Sequence, residues 1–403
     1  MLNQKGEREL VYVVKIDGII PIEGAERVEV AQVGGWRIMV RKDQFSIGDL
    51  AIYFEIDSKV PEREPFLFLE SKHYKIKTQK YFKGTVISQG LLMAPRDFGW
   101  GVEKTESEEA SQVIKAGNKE YKEGDFLTKD LEVTYYDPED NARKAPSVDK
   151  YKKMAGRHPK LFRNPIIKLI YKYEWGKKFL YIFFGQGKRE VVDWPCWVQK
   201  TDEERVQNMP WILEDKSEWI ATEKIDGTST TATLRRINKR EHRYYICSRN
   251  VVYNRPDKPC YYDFNVYTEM SEKYHFEEVL RSIADRYKLQ WVTLQGESYG
   301  AGVQKRDYGL DSHDFMGFNL IFSDRGRLNS RESAEILKEF GIPWVPILDE
   351  HFVLPDTVEE LLDMAAGKSV LDGEMREGLV FRSPDGAKSF KAVSNEFLLK
   401  YHS

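Results

Sequence analysis

Residues Glu218–Arg236 have the sequence EWIATEKIDGTSTTATLRR, in which two runs of strand-forming residues flank Asp226-Gly227. Such runs favour β-strands, and Asp-Gly favours a tight turn between them. The pattern predicts a strand that ends at Lys224, a turn, and a second strand, so that Lys224 lines a cleft. The motif K-x-D-G alone is weak evidence, because about one chain in ten of this length carries it by chance. A solvated lysine beside a hairpin turn is the competing interpretation.

A lysine held at the end of a strand can act as a nucleophile only after it loses its proton. The reference pKa of a lysine is about 10.4, so desolvation or nearby cations must lower it. A bound Mg²⁺ ion and further lysines would supply such a field, and they would also neutralise a triphosphate. Covalent chemistry at Lys224 therefore predicts further charged residues in the same site.

The sequence from about Trp197 onward predicts a mixed α/β domain. Strand-like segments such as EWIATEK, WVTLQGE and GLVFRS alternate with helical segments such as FEEVLRSIADRY. The helical segment Ser330–Gly341 starts with Ser and ends with Gly, which is a reasonable pair of helix caps. The predicted fold class is α+β, with this domain following a β-rich N-terminal part.

Five further segments follow the K-x-D-G motif along the chain, and each has a polar residue at the end of, or within, a strand-like run. Any one of them is typical of an ordinary core, but five in one fixed order indicate a shared site. They are Ser248-Arg249-Asn250, Gln295-Gly296-Glu297, Phe315-Met316-Gly317-Phe318, Glu377-Gly378-Leu379-Val380-Phe381-Arg382 and Ser389-Phe390-Lys391.

This ordered set resembles the covalent nucleotidyltransferase superfamily of polynucleotide ligases and mRNA-capping enzymes, over roughly residues 195–403. The resemblance implies an ATP-grasp-like ligase domain in which Lys224 carries the nucleotide and Phe318, with Phe315 as the weaker candidate, stacks on the purine. It implies that ATP and Mg²⁺ (or Mn²⁺) are the cofactors. The implied catalytic residues are Lys224, Asp226, Glu377 and Lys391; the nucleotide-binding residues are Glu223, Arg249, Glu297, Phe318, Lys388 and Lys391; the metal-binding residues are Asp226, Glu297 and Glu377.

Two departures from the superfamily pattern narrow the group of enzymes that this chain is expected to resemble. Position 393, where a second lysine is common, is Val393, and Lys388 is the candidate to replace that lysine. The sequence also ends twelve residues after Lys391, which leaves no room for the OB domain that DNA ligases and capping enzymes usually carry there. The chain is therefore more similar to ATP-dependent RNA ligases of the Naegleria type, the group with an N-terminal OB domain.

The N-terminal sequence is consistent with such a domain. Short runs such as LVYVVKIDGIIPI, VEVAQVGGWRIMVRK and DLAIYFEID, broken by Gly, Asp and Pro, predict a small OB-like barrel, followed by an acidic, loop-like region near residues 103–124. Segments within this part, and KTDEERVQN at Lys200–Asn208, resemble the same RNA ligase group. The predicted domains are 1–130 (OB-like, RNA-binding), 131–195 (basic aromatic linker or insertion) and 196–403 (nucleotidyltransferase).

The stretch 151–190 is strongly basic in a chain whose net charge is only -3. Eleven Lys and Arg residues face two Glu residues, with Tyr, Trp and Phe interleaved. One interpretation is a surface that follows an RNA backbone, and the other is a solvated helical connector. The basic residues are Lys152, Lys153, Arg157, Lys160, Arg163, Lys168, Lys172, Lys177, Lys178, Lys188 and Arg189.

The sequence argues against a secreted protein, a membrane-spanning protein and a protein stabilised by disulfides. The N-terminus MLNQKGEREL lacks an apolar signal core, and the longest apolar cluster, FLYIFF, is too short to span a bilayer. Three cysteines, at Cys196, Cys247 and Cys260, lie in no metal-like spacing and cannot form a disulfide framework. We therefore expect a cytoplasmic protein, soluble and without a membrane partner.

The expected function is ATP-dependent sealing of RNA that has 3′-OH and 5′-phosphate ends, through a lysyl-AMP and an adenylylated 5′ end. Other polynucleotide ligases and GTP-dependent capping enzymes are a related alternative. A non-catalytic RNA-binding protein is an alternative from a different class. The oligomeric state, the natural RNA substrate and the pathway stay open at this point.

Overall fold

The computed structural model describes residues 8–104, 112–136, 164–184, 194–201, 203–238, 241–249, 251–253 and 264–401. The chain forms two compact units, one of Met1–Thr134 with Trp194–Ser403 and the other of Tyr135–Asp193. The predicted domain boundaries near 130 and 195 stay predictions. None of the helices in the described ranges combines the length and the apolarity that crossing a membrane requires.

The N-terminal part consists of short strands with polar turns between them. They are β1 Val11–Lys15, β2 Gly18–Pro21, β3 Val28–Val33, β4 Trp36–Arg41, β5 Leu50–Phe54, β6 Ser58–Lys59, β7 Lys75–Ile76, β8 Gln79–Tyr81, β9 Val86–Ser88, β10 Leu91–Met93, β11 Gly101–Lys104, β12 Gln112–Ala116, β13 Lys119–Tyr121 and β14 Thr134–Tyr135.

Strand β5 is the centre of this part, because β1 and β10 pair with it on either side. All five residues of its sequence LAIYF are buried. Side chains alternate along a strand, so Leu50, Ile52 and Phe54 enter one apolar cluster while Ala51 and Tyr53 enter another. The domain therefore has apolar packing on both faces of its central strand.

The prediction of an acidic, loop-like region near residues 103–124 was wrong for the residues that the structure describes. Strands β11, β12 and β13 form an antiparallel meander there. Val113 and Ile114 are buried, and their burial against the domain core outweighs the local excess of charged residues.

The C-terminal part contains two antiparallel sheets. One has the strand order β21-β15-β22-β23 and the other has the order β17-β16-β18-β19-β20. The strands are β15 Glu218–Lys224, β16 Thr228–Arg236, β17 His242–Cys247, β18 Trp291–Gly300, β19 His313–Phe322, β20 Gly326–Arg327, β21 Ile347–Val353, β22 Gly378–Arg382 and β23 Ser389–Val393.

Helices cover one face of each sheet. In this unit, the helices of the described ranges are α3 Val266–Lys273, α4 Phe276–Arg286, α5 Ser330–Lys338, α6 Val358–Ala365 and α7 Asn395–Tyr401. The other unit contains α1 Pro165–Tyr171 and α2 Glu174–Phe184. Helices α3, α4 and α5 share an apolar cluster with the five-stranded sheet, and α6 shares another with the four-stranded sheet. The opposite faces of the two sheets are joined by a hydrogen bond from Arg382 Nε to Asn319 Oδ1, 3.3 Å long.

The two helices predicted from the sequence are present, with one correction to a cap. In α4 the buried residues recur with helical spacing, from Phe276 through Leu280 to Ile283. In α5 the N-cap is Asn329, whose side chain accepts a hydrogen bond from Glu332 N, and Ser330 is the first helical residue. Asn and Ser cap about equally well, so the tertiary packing of Ser330, which is buried, decides between them.

The N-terminal strands pack directly on the C-terminal part of the same compact unit. A Cβ atom added to Gly35, which has a φ of +78°, would lie 2.5 Å from Val358 Cγ1 of α6. Ile87 of β9 shares a buried apolar cluster with Val393 of β23 and Leu398 of α7. The turn between β3 and β4 therefore requires a residue without a side chain, and β9 lies beside the last strand of the C-terminal sheet.

Candidate active site

Lys224 is the last residue of β15, as the sequence predicted, and it pairs with Gly378 at the start of β22. This register brings the neighbouring Glu377 to the lysine, with 2.7 Å between Lys224 Nζ and Glu377 Oε2. The side chain of Lys224 is 23% exposed and that of Glu377 is 8% exposed. The ion pair of Lys224 and Glu377 is therefore mostly buried, and it lies where β15 ends and β22 begins.

Glu297 reaches the same place from the other sheet. It lies on β18, where it pairs with Ser229 and Met316, and when it is ionised its carboxylate raises the pKa of Lys224 together with those of Glu377 and Asp226. The structure thus brings together four of the predicted residues from three separate parts of the chain.

The carboxylates of this cluster determine the protonation states of Lys224 and of one another. Burial by itself lowers the pKa of Lys224, but the charges of Glu377, Glu297 and Asp226 outweigh burial and raise it. Burial raises the pKa of Glu297 to about 8; Lys224 opposes this rise, whereas Glu377 and Asp226 add to it. The lysine is consequently an ammonium in the free protein near neutral pH.

Phe318 lies at an irregularity in β19. Gln295 pairs with Asn319 while the next residue, Gly296, pairs with Gly317, so Phe318 is the extra residue of a β-bulge. Bulges re-aim side chains, and Phe318 packs beside Ile225, next to the lysine. The guanidinium of Arg382 lies 5.8 Å from the centre of its ring.

Phe315, the weaker candidate for the stacking aromatic, lies elsewhere. It is fully buried in the helix-covered core of the five-stranded sheet. Its ring packs edge-on against Phe276 of α4, with 4.8 Å between centroids. Its environment is that of a core residue.

Lys391 lies on the same face of the four-stranded sheet as Lys224. It pairs with Val380, which pairs in turn with Thr222, two residues before the lysine. Directly paired residues share a face, and positions two apart on a strand do too. The backbone N–H of Lys391 donates a 2.8 Å hydrogen bond to Glu204 O.

The structure does not bring Lys388 to this end of the sheet. It precedes Ser389, which pairs with Arg382, four residues along β22 from Gly378. At about 3.3 Å per residue, this is roughly 13 Å from the Lys224 end. Lys388 Nζ instead lies 3.1 Å from Asp215 Oδ2. Val393, at the position of the missing second lysine, is buried against Ile87.

Arg205 is a cation near the site to which the sequence reasoning assigned no role. Its backbone pairs with that of Lys391, and the charge of Glu377 acts on its guanidinium. Burial lowers the pKa of Arg205, and the guanidinium lies 5.8 Å from the ring centre of Trp36 in the N-terminal part. The only signal in the sequence was its place within KTDEERVQN, a segment noted for its resemblance alone.

Tyr308 is a second neighbour that sequence reasoning missed. Its hydroxyl accepts a 2.7 Å hydrogen bond from Asp226 N, and the guanidinium of Arg306 lies 4.1 Å from its ring centre. Arg306, almost fully buried, forms a 2.5 Å ion pair with Asp372. This chain of contacts holds the backbone at Asp226, and no sequence motif marks it.

Glu223, another predicted nucleotide-binding residue, directs its side chain away from Lys224. Glu223 alternates with Lys224 along β15 and points to the other face, where its carboxylate accepts a 3.0 Å hydrogen bond from Val370 N. Arg249 is exposed in the turn after β17. The structure thus keeps the Glu223 carboxylate apart from the Lys224–Glu377 pair, and the nucleotide-binding role of Arg249 stays a prediction.

The carboxylates around Lys224 do not form a ready-made metal site. Within the described ranges, no group of three His, Cys, Asp or Glu side chains is close enough to hold an ion directly. Asp226, Glu297 and Glu377 nevertheless act together on one lysine, and carboxylate oxygens suit a hard cation that keeps its waters. The donor set therefore fits a hydrated Mg²⁺ or Mn²⁺ ion better than direct ligation.

Comparisons with known proteins agree with this geometry. Residues 217–402 match the RNA ligase family, and residues 10–95 match an OB-fold domain family. No curated protein matches the chain.

Among solved structures, the chain is similar to the RNA ligase of Naegleria gruberi. An apo mutant of that ligase matches with 27% identity and a TM-score of 0.64, covering 98% of this chain and 99% of that one. A mutant with ATP and Mn matches with 26% identity and a TM-score of 0.63, covering 98% and 100%. The form with PPi matches with 27% identity and a TM-score of 0.63, covering 98% and 99%. These matches confirm the predicted fold class.

Proposed function

We propose that this chain is an RNA ligase with an OB-fold domain in its N-terminal part, and that it seals RNA strands in an ATP-dependent reaction through a lysyl-AMP at Lys224. The observation that carries the proposal is the Lys224–Glu377 pair, 2.7 Å apart, with Glu297 acting on it from the facing sheet. Solved Naegleria gruberi ligases that contain ATP or AMP with Mn support the choice of ATP and a divalent metal.

In the first step, Lys224 Nζ attacks the α-phosphorus of ATP, a phosphoramide bond forms, and pyrophosphate leaves. Phe318 stacks on the adenine, and Lys391 contacts the α-phosphate. The lysine must first give up the proton that it holds against Glu377 Oε2. A hydrated Mg²⁺ or Mn²⁺ held by Asp226, Glu297 and Glu377 would offset the negative charge that keeps the lysine protonated, and would shield the phosphates.

We assign Arg205 the place of the second cation that position 393 lacks. Its guanidinium is close enough for its charge to act on Glu377, whereas Lys388 lies at the far end of the hairpin. A planar guanidinium also offers paired N–H donors to phosphate oxygens, which suits a leaving pyrophosphate.

The second and third steps use the AMP as an activating group. AMP passes from Lys224 to the 5′-phosphate end of an RNA strand, so that a 5′–5′ pyrophosphate bond replaces the phosphoramide bond. A 3′-OH then attacks the 5′-phosphorus and releases AMP as the strand closes. We assign nucleotide chemistry to residues 196–403 and RNA binding to residues 1–130.

Incubation with ATP labelled on its α-phosphate, followed by denaturing electrophoresis, tests this function. Label that stays on the wild-type protein and is absent from Lys224→Ala supports the proposal. Label from GTP but not ATP would indicate a capping-type enzyme, and sealing of nicked DNA but not RNA would indicate a DNA ligase. A wild-type protein that takes no label would be the non-catalytic RNA-binding protein.

A further inference from the structure

One segment of the N-terminal part has a sequence in which every formally charged residue is basic. Residues 71–96 contain five Lys residues and one Arg residue, and no Asp or Glu. Blocks of one charge sign on a folded surface create a local field even where the net charge of the chain is near zero. The Lys residues are Lys72, Lys75, Lys77, Lys80 and Lys83.

This segment forms β7 and the β8–β9 hairpin, which is docked firmly on the C-terminal part. Lys80 pairs with Ile87 across the hairpin, and Ile87 is buried against Val393 and Leu398. Lys80 Nζ donates a 2.6 Å hydrogen bond to Leu399 O in α7. The hairpin is therefore held beside β23, the strand that carries Lys391.

A sixth lysine extends the positive surface toward the active site. Burial lowers the pKa of Lys80, and the positive charge of Lys305 lowers it further, so the two ammonium groups lie close enough to repel each other. The residue before Lys305, Gln304, donates a 3.2 Å hydrogen bond to Gly227 O in the K-x-D-G motif. The exposed Lys305 thus connects the hairpin to the segment next to Lys224.

The tip of the hairpin presents an aromatic ring. Phe82 is 42% exposed, and both Phe82 and Lys83 have positive φ values, of 51° and 56°. Non-glycine residues in this conformation are held there at an energetic cost, and such residues cluster at binding sites. An exposed ring between lysines is the arrangement that binds a nucleic-acid strand, with bases on rings and phosphates on cations.

We propose that these six lysines, which we call the lysine strip (Lys72, Lys75, Lys77, Lys80, Lys83 and Lys305), bind the phosphate backbone of an RNA strand and lead its end to Lys224, with a base stacked on Phe82. The proposal rests on the function proposed above. An RNA strand fits better than an anionic membrane, because Lys305, at one end of the strip, follows the residue that is hydrogen-bonded to Gly227 O beside Lys224. Anion binding would relieve the repulsion between Lys80 and Lys305.

The test is RNA affinity and its salt dependence in Lys77→Ala/Lys83→Ala, which changes two exposed side chains and leaves the docked Lys80 intact. The probe is a short, fluorescent, 5′-phosphorylated single-stranded RNA. Loss of two phosphate contacts should weaken binding at low salt on the order of tenfold. It should also flatten the slope of log K against log salt by about 1.4, since each contact on a single strand contributes about 0.7.

The matched control is Lys42→Ala/Lys122→Ala, which removes the same charge from two exposed positions of the same domain outside the lysine strip. The proposal requires this control to keep the wild-type slope. Equal slopes in the two double variants would overturn it, because the effect would then depend on net charge alone. Binding of the wild type to phosphatidylserine vesicles but not to the RNA would overturn it as well.

Phe82→Ala tests the stacking contact separately. It should weaken RNA binding by roughly 5- to 100-fold and leave the salt slope as in the wild type, because a ring carries no charge. Wild-type affinity in this variant would remove Phe82 from the proposal. Measuring AMP attachment to Lys224 in parallel separates the two proposals: a protein that takes no AMP but binds RNA through the lysine strip refutes only the proposed function.

Discussion

Lys224 and Glu377 are 153 residues apart in the chain and 2.7 Å apart in the structure, between Nζ and Oε2. Antiparallel pairing of β15 with β22 produces this contact, since Lys224 pairs with Gly378. Gly378 itself leaves no space for a side chain, because a Cβ there would lie 2.2 Å from Ala392 O. The pair is thus a consequence of strand register, and the predictions below depend on it.

Lys224→Ala should abolish covalent AMP attachment while the fold stays intact. Lys224→Arg should fail as well, because a guanidinium stays protonated and cannot attack phosphorus. The measurement is label from α-labelled ATP after denaturing electrophoresis, with circular dichroism as the folding check. Lys338→Ala, at an exposed position in the last turn of α5, is the control and should label like the wild type. Normal labelling of Lys224→Ala would end the assignment.

Glu377→Gln and Glu297→Gln should each slow AMP attachment by around 10²–10³, because both carboxylates are proposed to position the metal and nucleotide. The measurement is the single-turnover rate of adenylylation across a Mg²⁺ titration. Glu374→Gln changes an exposed carboxylate three residues from Glu377 and should keep the wild-type rate. If the first two variants match the third at every Mg²⁺ concentration, the proposed site is wrong.

Phe318→Ala should raise the KM for ATP by roughly 5- to 100-fold, since stacking of a base on a ring contributes about 1–3 kcal/mol. Phe315→Leu should instead lower the free energy of unfolding by about 1–3 kcal/mol, because Phe315 is fully buried in the core. Steady-state kinetics and urea unfolding of both variants distinguish the roles. If Phe315→Leu raised the KM for ATP and Phe318→Ala lowered only the free energy of unfolding, Phe315 would be the stacking ring and Phe318 the core residue.

Arg205→Lys should slow AMP attachment, whereas Lys388→Ala should stay within about twofold of the wild type, as a surface substitution does. The reason is position: Arg205 pairs with Lys391, while Lys388 forms an exposed ion pair with Asp215. Arg205→Lys keeps the charge and removes the planar fork, so a rate effect without a change in melting temperature supports phosphate contact. A large loss in Lys388→Ala with none in Arg205→Lys would restore Lys388 as the second cation.

Neutralising Lys168, Lys172, Lys177 and Lys178 together should weaken RNA binding and flatten its salt dependence. These lysines lie in or beside α1 and α2, where the exposed rings of Tyr173 and Trp175 stack with 6.4 Å between centroids. RNA affinity at two salt concentrations is the measurement. Wild-type affinity and slope in the quadruple variant would favour the solvated connector. The other basic residues of 151–190 lie outside the described residues.

The sequence was sufficient to predict those features that depend only on neighbouring residues. The strand ending at Lys224 follows from residue types alone, because strand propensity acts over a few residues. The tight turn predicted at Asp226-Gly227 was wrong, because β15 and β16 belong to different sheets and do not pair as a hairpin. The order of the motifs along the chain was enough to predict the fold class and the similarity to RNA ligases, since each motif lies on its own strand or turn.

Contacts between strands that are distant in the chain could not be predicted from the sequence. The bulge at Phe318 depends on the pairing of β18 with β19, and the far position of Lys388 depends on the register of β22 with β23. Val393 appears in the sequence as a missing cation, but the structure buries it against Ile87 of the N-terminal part. The same domain packing carries Arg205 to Glu377.

By itself, then, the sequence determined the order of strands and motifs and the choice of Lys224 as the candidate nucleophile, because these depend on neighbouring residues. The tertiary structure decided which charged groups surround that lysine and which positive surface leads to it. Charges interact through space over several ångströms, and only strand register and domain packing set those distances.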